Sequence, residues 1–393
     1  MASGPVRIPP DFPVVGVVGG GQLARMAHQA GIALGIRLRV LAESADDSAA
    51  LAAPEVVVGD HRDLDALRAF AAGCDVLTFD HEHVPTEHLR TLVAEGVTLY
   101  PGPDALVHAQ DKGEMRHRLD AIGGACPPWM LLPADRASAV EGVEAFAAAH
   151  GWPVVLKSTR GGYDGKGVWV VADAAQATEV EAALPDGVRL LAEQHVPFTR
   201  ELAALVARSP SGQAVAYPVV ETVQVGGVCR EVIAPAPIAD DHATAAQQAA
   251  LRIAEALGVV GVMAVELFDT PAGVLVNELA MRPHNSGHWT IDGAVTSQFE
   301  NHLRAVLDLP LGSPRAVAPA AARANVLGGD LPDLYPGFLH CMARDPGARI
   351  HVYGKQVRPG RKVGHVTVVG DDPVDCLARA RHAAAYLAGE IDE

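Results

Sequence analysis

The sequence predicts a mixed α/β and α+β protein, and three features carry that expectation. From Val14 onward, short apolar runs alternate with amphipathic segments, the pattern of a doubly wound parallel sheet. In the middle of the chain, turns bearing Gly and Pro join apolar runs directly, which marks antiparallel hairpins. The last part returns to short strands and closes on a helix. The chain is thereby divided into a flexible leader at 1–13, a parallel domain at 14–109, a central region of two subdomains at 110–310 and a small β-rich domain at 311–393.

The leader MASGPVRIPPDFP lacks the apolar core of a signal peptide. VVGVVGGGQLARMAHQAGIALGIRLRVLAES follows as strand, glycine turn, helix and second strand. Gly19, Gly21 and Ala24 fit the G-x-G-x-x-G/A spacing, with Glu43 at the end of the second strand. Glycine allows close backbone approach, and the helix N-terminus offers free N–H groups to a phosphate; a purely structural tight turn is the other reading. The alternation continues through PEVVVGD, DLDALRAFAAG, CDVLTFDHEHV, TEHLRTLVAEG and VTLYPGP. Asp80, His81, Glu82 and His83 end a strand where open α/β sheets bind ligands, and a substrate rim is favoured there over a zinc pair of His81 and His83. AQDKGEMRHRLDAIG then reads as a basic amphipathic helix linking two domains.

PPWMLL and a helix ending at His150 open the central region. WPVVLKSTRGGYDGKGVWVV gives a strand, a glycine-rich loop and a strand. Lys157 ends the first strand, and Gly161, Gly162, Gly165 and Gly167 form a flap whose N–H groups can cover phosphates. It is no Walker A loop, because the GxxxxGK[ST] spacing is missing. RLLAEQHVPFTREL sets Glu193 and Glu201 around a break at Pro197. Backbone groups at such a strand end can read an adenine edge, while carboxylates take an amino group and ribose hydroxyls. After further antiparallel strands and the helix ATAAQQAALRIAEALG, Glu266 and Glu278 fall on two strands turned at Thr270–Gly273. Facing one site, they suit a hard divalent cation such as magnesium. The adjoining RPHNSGHW loop crowds Arg282, His284, Asn285, Ser286 and His288 into a donor set suited to a small anion. The loop GKQVRPGRKVGHVTVVG gathers Lys355, Arg358, Arg361 and Lys362, either to bind an anion or as a solvated turn.

A net charge of −16 argues against binding nucleic acid or an anionic membrane surface, since both need clustered Lys and Arg. The cysteines Cys74, Cys126, Cys229, Cys341 and Cys376 are odd in number and without CxxC spacing, as expected in a reducing cytoplasm. No apolar run reaches the ~18 residues that mark a transmembrane helix.

GGGQLARM, VVLKSTRGGYDGKG, AEQHVPFTRE, NELAMRPHNSGHWT and VRPGRKVGH occur in an order that resembles the N5-carboxyaminoimidazole ribonucleotide synthetase family. These are ATP-grasp ligases of de novo purine biosynthesis, also known as the ATPase subunit of phosphoribosylaminoimidazole carboxylase. The resemblance runs from about Val14 to the last helix. It implies a Rossmann-like N-terminal domain, an ATP-grasp central region, a small β-rich C-terminal domain and a cytoplasmic homodimer. It further implies three small-molecule substrates, ATP, bicarbonate and aminoimidazole ribonucleotide, with Mg2+ or alternatively Mn2+ as the metal.

Carried over by resemblance, Lys157 contacts ATP phosphates under the loop Gly162, Tyr163, Asp164, Gly165, Lys166 and Gly167. Glu193, Gln194, His195 and Val196 read adenine, and Glu201 takes the ribose. Lys112 stands where an arginine is usual in the nucleotide site. Glu266 and Glu278 bind the metal, with Asn277 beside them. Arg282, His284, Asn285 and Ser286 hold bicarbonate and carboxyphosphate. Gly21, Gln22, Glu82, Tyr163, Asp164, Lys355, Arg361 and Lys362 hold the ribonucleotide, and Asp164 takes a proton from its amine. The sequence departs from the family at Gln224, Asp80 and Met281, none of which removes an essential charge. The VRPGRKVGH block argues against another ATP-grasp ligase, such as formate-dependent glycinamide ribonucleotide transformylase. A dinucleotide oxidoreductase would leave Lys157 and the glutamate pair unexplained.

Overall fold

The computed structural model describes residues 12–162, 165–185, 187–329 and 331–392. Most of the leader therefore lies outside the described residues. Its last two residues already belong to the domain: the Pro13 carbonyl accepts from the Arg37 N–H, and Phe12 packs beside Gly35.

The N-terminal domain alternates as expected: β1 (Val14–Val18), α1 (Gln22–Ala33), β2 (Arg37–Ala42), β3 (Glu55–Val58), α2 (Leu64–Ala71), β4 (Val76–Phe79) and α3 (Thr86–Ala94). The strands pair in parallel in the order β3-β2-β1-β4. The order reverses between β1 and β4, so their carboxyl ends open a crevice between the glycine turn and Asp80–His83. VTLYPGP adds only a bridge from Leu99 to Leu77 rather than a strand.

The expected linking helix is two helices, α4 (Pro103–Gln110) and α5 (Lys112–Ala121). Asp111 breaks the run in extended geometry, and its carboxylate accepts from the Gly113 and Glu114 N–H groups. An Asp N-cap with Glu three residues on has capping-box spacing, and it overrides the continuous periodicity.

Next come β5 (Trp129–Leu131), α6 (Arg136–His150), β6 (Val154–Ser158), β7 (Val168–Val171), α7 (Ala174–Ala183) and β8 (Leu190–Gln194). They form an antiparallel sheet ordered β5-β8-β6-β7, packed on α6 and α7. The chain continues through β9 (Arg200–Arg208), β10 (Ala214–Ala216), β11 (Val220–Val225), β12 (Val228–Ala234), α8 (Asp240–Ala256), β13 (Gly261–Thr270) and β14 (Gly273–Ala280). It ends with α9 (Thr290–Gly293), α10 (Gln298–Val306), β15 (Ala320–Leu327), α11 (Gly337–Arg344), β16 (Arg349–Val352), β17 (Lys362–Gly370) and α12 (Pro373–Ala388).

The larger sheet runs β14-β13-β9-β11-β12-β15-β17-β16, with β10 added to β9. The pairing of β12 with β15 carries it unbroken from the central region into the C-terminal unit. The N-terminal domain is joined as firmly. Leu67, Phe70 and Phe79 share one apolar core with Leu202, Met263 and Met281, while Phe299 and Leu303 of α10 pack among residues of α1 and β2. Met281 is fully buried in that core, so it acts on packing and not on charge.

Candidate active site

One cavity of about 1330 Å³ lies where the two sheets, the parallel domain and the C-terminal basic loop meet. Of the expected residues, Gly21, Gln22, Glu82, Lys112, Lys157, Gly162, Gly165, Lys166, Glu193, Gln194, His195, Val196 and Glu201 line it. So do Glu266, Asn277, Glu278, Arg282, His284, Asn285, Ser286, Lys355, Arg361 and Lys362. Tyr163 and Asp164 lie outside the described residues. Gly167 does not line the cavity; its carbonyl accepts from the Ser158 N–H at the base of the loop.

On one wall, buried Lys157 ends β6. Its ammonium meets Glu193 at 2.5 Å and the Asn277 amide oxygen at 2.9 Å. Arg116 of α5, wholly buried, grips Glu193 from the other side at 2.6 Å and donates to the Asn277 carbonyl at 2.7 Å. Burial alone would push the Glu193 carboxyl up, but Lys157 and Arg116 hold it down at about 2. The expectation that this carboxylate takes an adenine amino group is corrected here: it is committed to two cations, and its main chain pairs with Trp129 and Val155. Only backbone groups beyond the strand, at His195 and Val196, remain for an adenine edge. Phe198 and Phe268, stacked at 4.7 Å between centroids, line the same part with Val155, Val168 and Val170. That apolar slot escaped the sequence reading, because its residues come from four separate strands and loops.

Glu266 and Glu278 are cross-strand partners, as the hairpin predicted. A bulge follows, since Glu266 pairs with Glu278 and Leu267 with Val276, leaving Asn277 over. An extra residue re-aims its side chain, so Asn277 and Glu278 both face the cavity. Glu278 accepts from Lys112 at 2.6 Å, and Glu266 meets His284 Nε2 at 3.2 Å. Burial raises Glu266, but the His284 bond and nearby Lys112 and Arg282 hold it below the ordinary range. Glu201 is pushed up to about 7, by burial and then by Glu266. Gln224 lines the cavity beside it and shares a hydrogen bond with it. Such an accumulation of hard oxygen donors suits a divalent cation. Outside the cavity lining, Glu43, Asp60 and His61 also bring metal-type ligand atoms within 4.8 Å of one another.

The opposite wall is tied by Arg282, whose Nε donates to Glu82 at 2.8 Å. The other Glu82 oxygen is buried without a partner. Gln298 of α10, also unforeseen, clamps the loop by accepting from the His284 N–H at 2.8 Å and donating to its carbonyl at 2.7 Å. His284 Nδ1 meets the Ser286 hydroxyl at 2.8 Å, which leaves Nε2 directed at Glu266. Lys355 reaches across from the C-terminal unit to the Gln22 side chain. Arg361 holds the Gln356 carbonyl at 3.3 Å and lines the cavity.

The phosphate reading of the first glycine turn is corrected. Asp80 Oδ1 accepts from the Ala24 N–H at 2.7 Å, so an internal carboxylate occupies the start of α1. Burial pushes the Asp80 carboxyl up, against the pull of the Ala24 N–H, Arg282 and Lys355. Glu43, at the end of the second strand, meets His61 at 3.2 Å. His81 Nδ1 accepts from the His83 N–H, and burial with two neighbouring imidazoles pushes His81 down to about 3, so this imidazole is uncharged.

Three family models match: the ribonucleotide synthetase preATP-grasp domain over 13–110, the ATP-grasp domain over 117–299 and the phosphoribosylaminoimidazole carboxylase C-terminal domain over 321–379. The chain is 58% identical over 381 residues to the N5-carboxyaminoimidazole ribonucleotide synthase of Mycobacterium bovis, covering 95% of this chain and 88% of that one. It is also similar to the crystal structure of the synthetase from Thermus thermophilus, with a TM-score of 0.85 and 39% identity over 96% and 99% of the two chains. The Aspergillus clavatus synthase in complex with ADP and 5-aminoimidazole ribonucleotide matches at a TM-score of 0.85 and 32% identity, over 97% and 100%.

Proposed function

The chain belongs to the N5-carboxyaminoimidazole ribonucleotide synthases, ATP-grasp ligases that carboxylate 5-aminoimidazole ribonucleotide in purine biosynthesis, and we propose that the cavity above performs this reaction through carboxyphosphate. The observation that carries the proposal is continuity: Lys157, the glutamate pair, the Arg282–Ser286 loop and the C-terminal cations line one cavity.

Adenine enters the slot at Phe268 and Val155 and is read by the backbone at His195 and Val196, with the ribose hydroxyls on Glu201. Lys157 turns from Asn277 to the phosphate oxygens, and the loop 161–167 covers them. Glu266, Glu278 and the Asn277 amide would hold Mg2+; their all-oxygen set fits it, and Lys112 would yield Glu278 as it binds. The metal supplies charge neutralisation of the transferring phosphoryl group.

Arg282, His284 and Asn285 orient bicarbonate, one oxygen of which attacks the γ-phosphorus and expels ADP. In the resulting carboxyphosphate the exocyclic amine attacks the carboxyl carbon, phosphate leaves and the amine proton passes to a base, assigned to Asp164. Glu82, held by Arg282, faces the ribonucleotide, whose phosphate meets Lys355, Arg361 and Lys362, with the Gln22 side chain beside Lys355. These roles are tested by ADP release with aminoimidazole ribonucleotide plus bicarbonate, beside formate plus glycinamide ribonucleotide. Turnover is expected in the first, and silence there with turnover in the second would overturn the reading.

We also propose a cytoplasmic homodimer. No helix among the described residues is long and apolar enough to cross a membrane, and the five cysteines are all free. Light scattering that gave a single-chain mass would remove the dimer.

A further inference from the structure

We propose that Arg323, carried by β15 of the C-terminal unit, is a positioning residue for the anion pocket: it turns the Asn285 amide toward the cavity and sets beneath it a positive charge that no described carboxylate takes up. The inference rests on the reading that Asn285 meets bicarbonate.

Arg323 is completely buried, a rare place for a guanidinium. Its Nη1 donates to the Asn285 side-chain oxygen at 2.6 Å and to the Asn285 carbonyl at 3.2 Å, while Nη2 lies 3.7 Å from Cys229 Sγ. A guanidinium can only donate, so the amide oxygen of Asn285 must face it. One N–H of the NH2 group meets Cys229, and the other is left for the cavity, which both residues line. An N–H donor there fits an oxygen of an anion and would repel a cation.

Among the described residues, no carboxylate neutralises the charge beneath. Glu231, paired with Ala324 across β12 and β15, is bonded to Arg381 at 2.5 Å. Glu266 is engaged by His284, and Asp292 by His351 at 2.7 Å. Arg323 makes no ion pair among the described residues, and its Nε is buried without a partner. Burial keeps His288 and His365 beside it well below their ordinary range, so they are uncharged, and Lys362 adds a further cation. A buried cation is costly until an opposite charge meets it. Bound bicarbonate supplies that charge, and carboxyphosphate supplies more, so the stabilisation grows as the reaction proceeds.

The test varies bicarbonate, ATP and aminoimidazole ribonucleotide in turn, following ADP release by Arg323→Met and Arg323→Lys. Methionine keeps an apolar stem and removes the charge. Arg323→Met is expected to raise the KM for bicarbonate roughly tenfold or more and to leave the other two KM values within about twofold, without lowering Tm. Arg323→Lys, which keeps the charge but loses the fork, should raise the same KM by less. An unchanged bicarbonate KM in either folded variant, or three KM values rising together, would overturn the proposal. Wild-type ADP release independent of added bicarbonate would instead overturn the reading beneath it.

Discussion

Gly21, at the end of the first glycine turn, and Gly161, Gly162 and Gly165 of the second glycine-rich loop border the same cavity, yet different things fill the space their missing side chains leave. At Gly21 the backbone is extended, and glycine is needed only because a Cβ would lie 2.0 Å from Asp80 Oδ2. The turn is closed by a carboxylate. In the loop, Gly161 has a φ of +79° with nothing within 4 Å of its Cβ position, and a Cβ at Gly165 would meet the Gly227 backbone across the cavity. At Gly161 and Gly165 the loop thus meets solvent and main chain, and no carboxylate fills it there. Glycine spacing therefore reports close approach, and what approaches decides whether a phosphate can.

Four measurements press on this contrast. Replacing the cation beside the open loop, Lys157→Met, should lower kcat/KM about 10²–10³-fold in ADP release, by analogy with loss of one transition-state donor. It should also cost roughly 3 kcal/mol in urea unfolding, because Glu193 and Arg116 lose the third member of a buried cluster. Gly21→Ala should then cost ~2–3 kcal/mol through overpacking on Asp80, whereas Gly161→Ala should cost only ~1 kcal/mol for its backbone conformation. Equal losses in the two variants would erase the distinction. Asp80→Asn keeps an oxygen for the Ala24 N–H, and Asp80 has a raised carboxyl. The folded state therefore holds its proton longer, and stability falls as pH rises above the unfolded value. At pH 8 the variant should melt no lower than wild type; a clear drop would mean that the closed turn needs the charge.

The smallest effect concerns Glu201 in the nucleotide-free protein. Its carboxyl is held at about 7 against an ordinary 4.5, so stability should decline from about pH 5 to 7 and level off above. Partial exposure reduces the decline to about 1 kcal/mol or less, and Glu201→Gln should flatten it. A wild-type melting curve with no slope in that window would refute the assignment.

Much of the site could be read from the chain because its parts are local: Lys157 at a strand end, the hairpin opposing Glu266 and Glu278, and the cations around Arg361. The break at Asp111 was missed, although its spacing to Glu114 carries a local signal for it. What stayed hidden depends on distant partners. Asp80 caps a helix 56 residues away, and Arg116 reaches Glu193 across 77. The Asn277 bulge appears only once its partner strand fixes the register, and nothing local announces that Gln298 and Arg323 hold the anion loop.

The sheet that runs unbroken from β14 to β16 also bears on how the chain can be divided. A protein shortened at residue 310 would lose the strand that pairs with Glu231 to Ala234, and β12 would present a row of unpaired N–H and C=O groups to water. Such an edge recruits other strands and invites aggregation. The C-terminal unit is thus a built-in guard against self-association through β12, a duty separate from anything it contributes to the cavity.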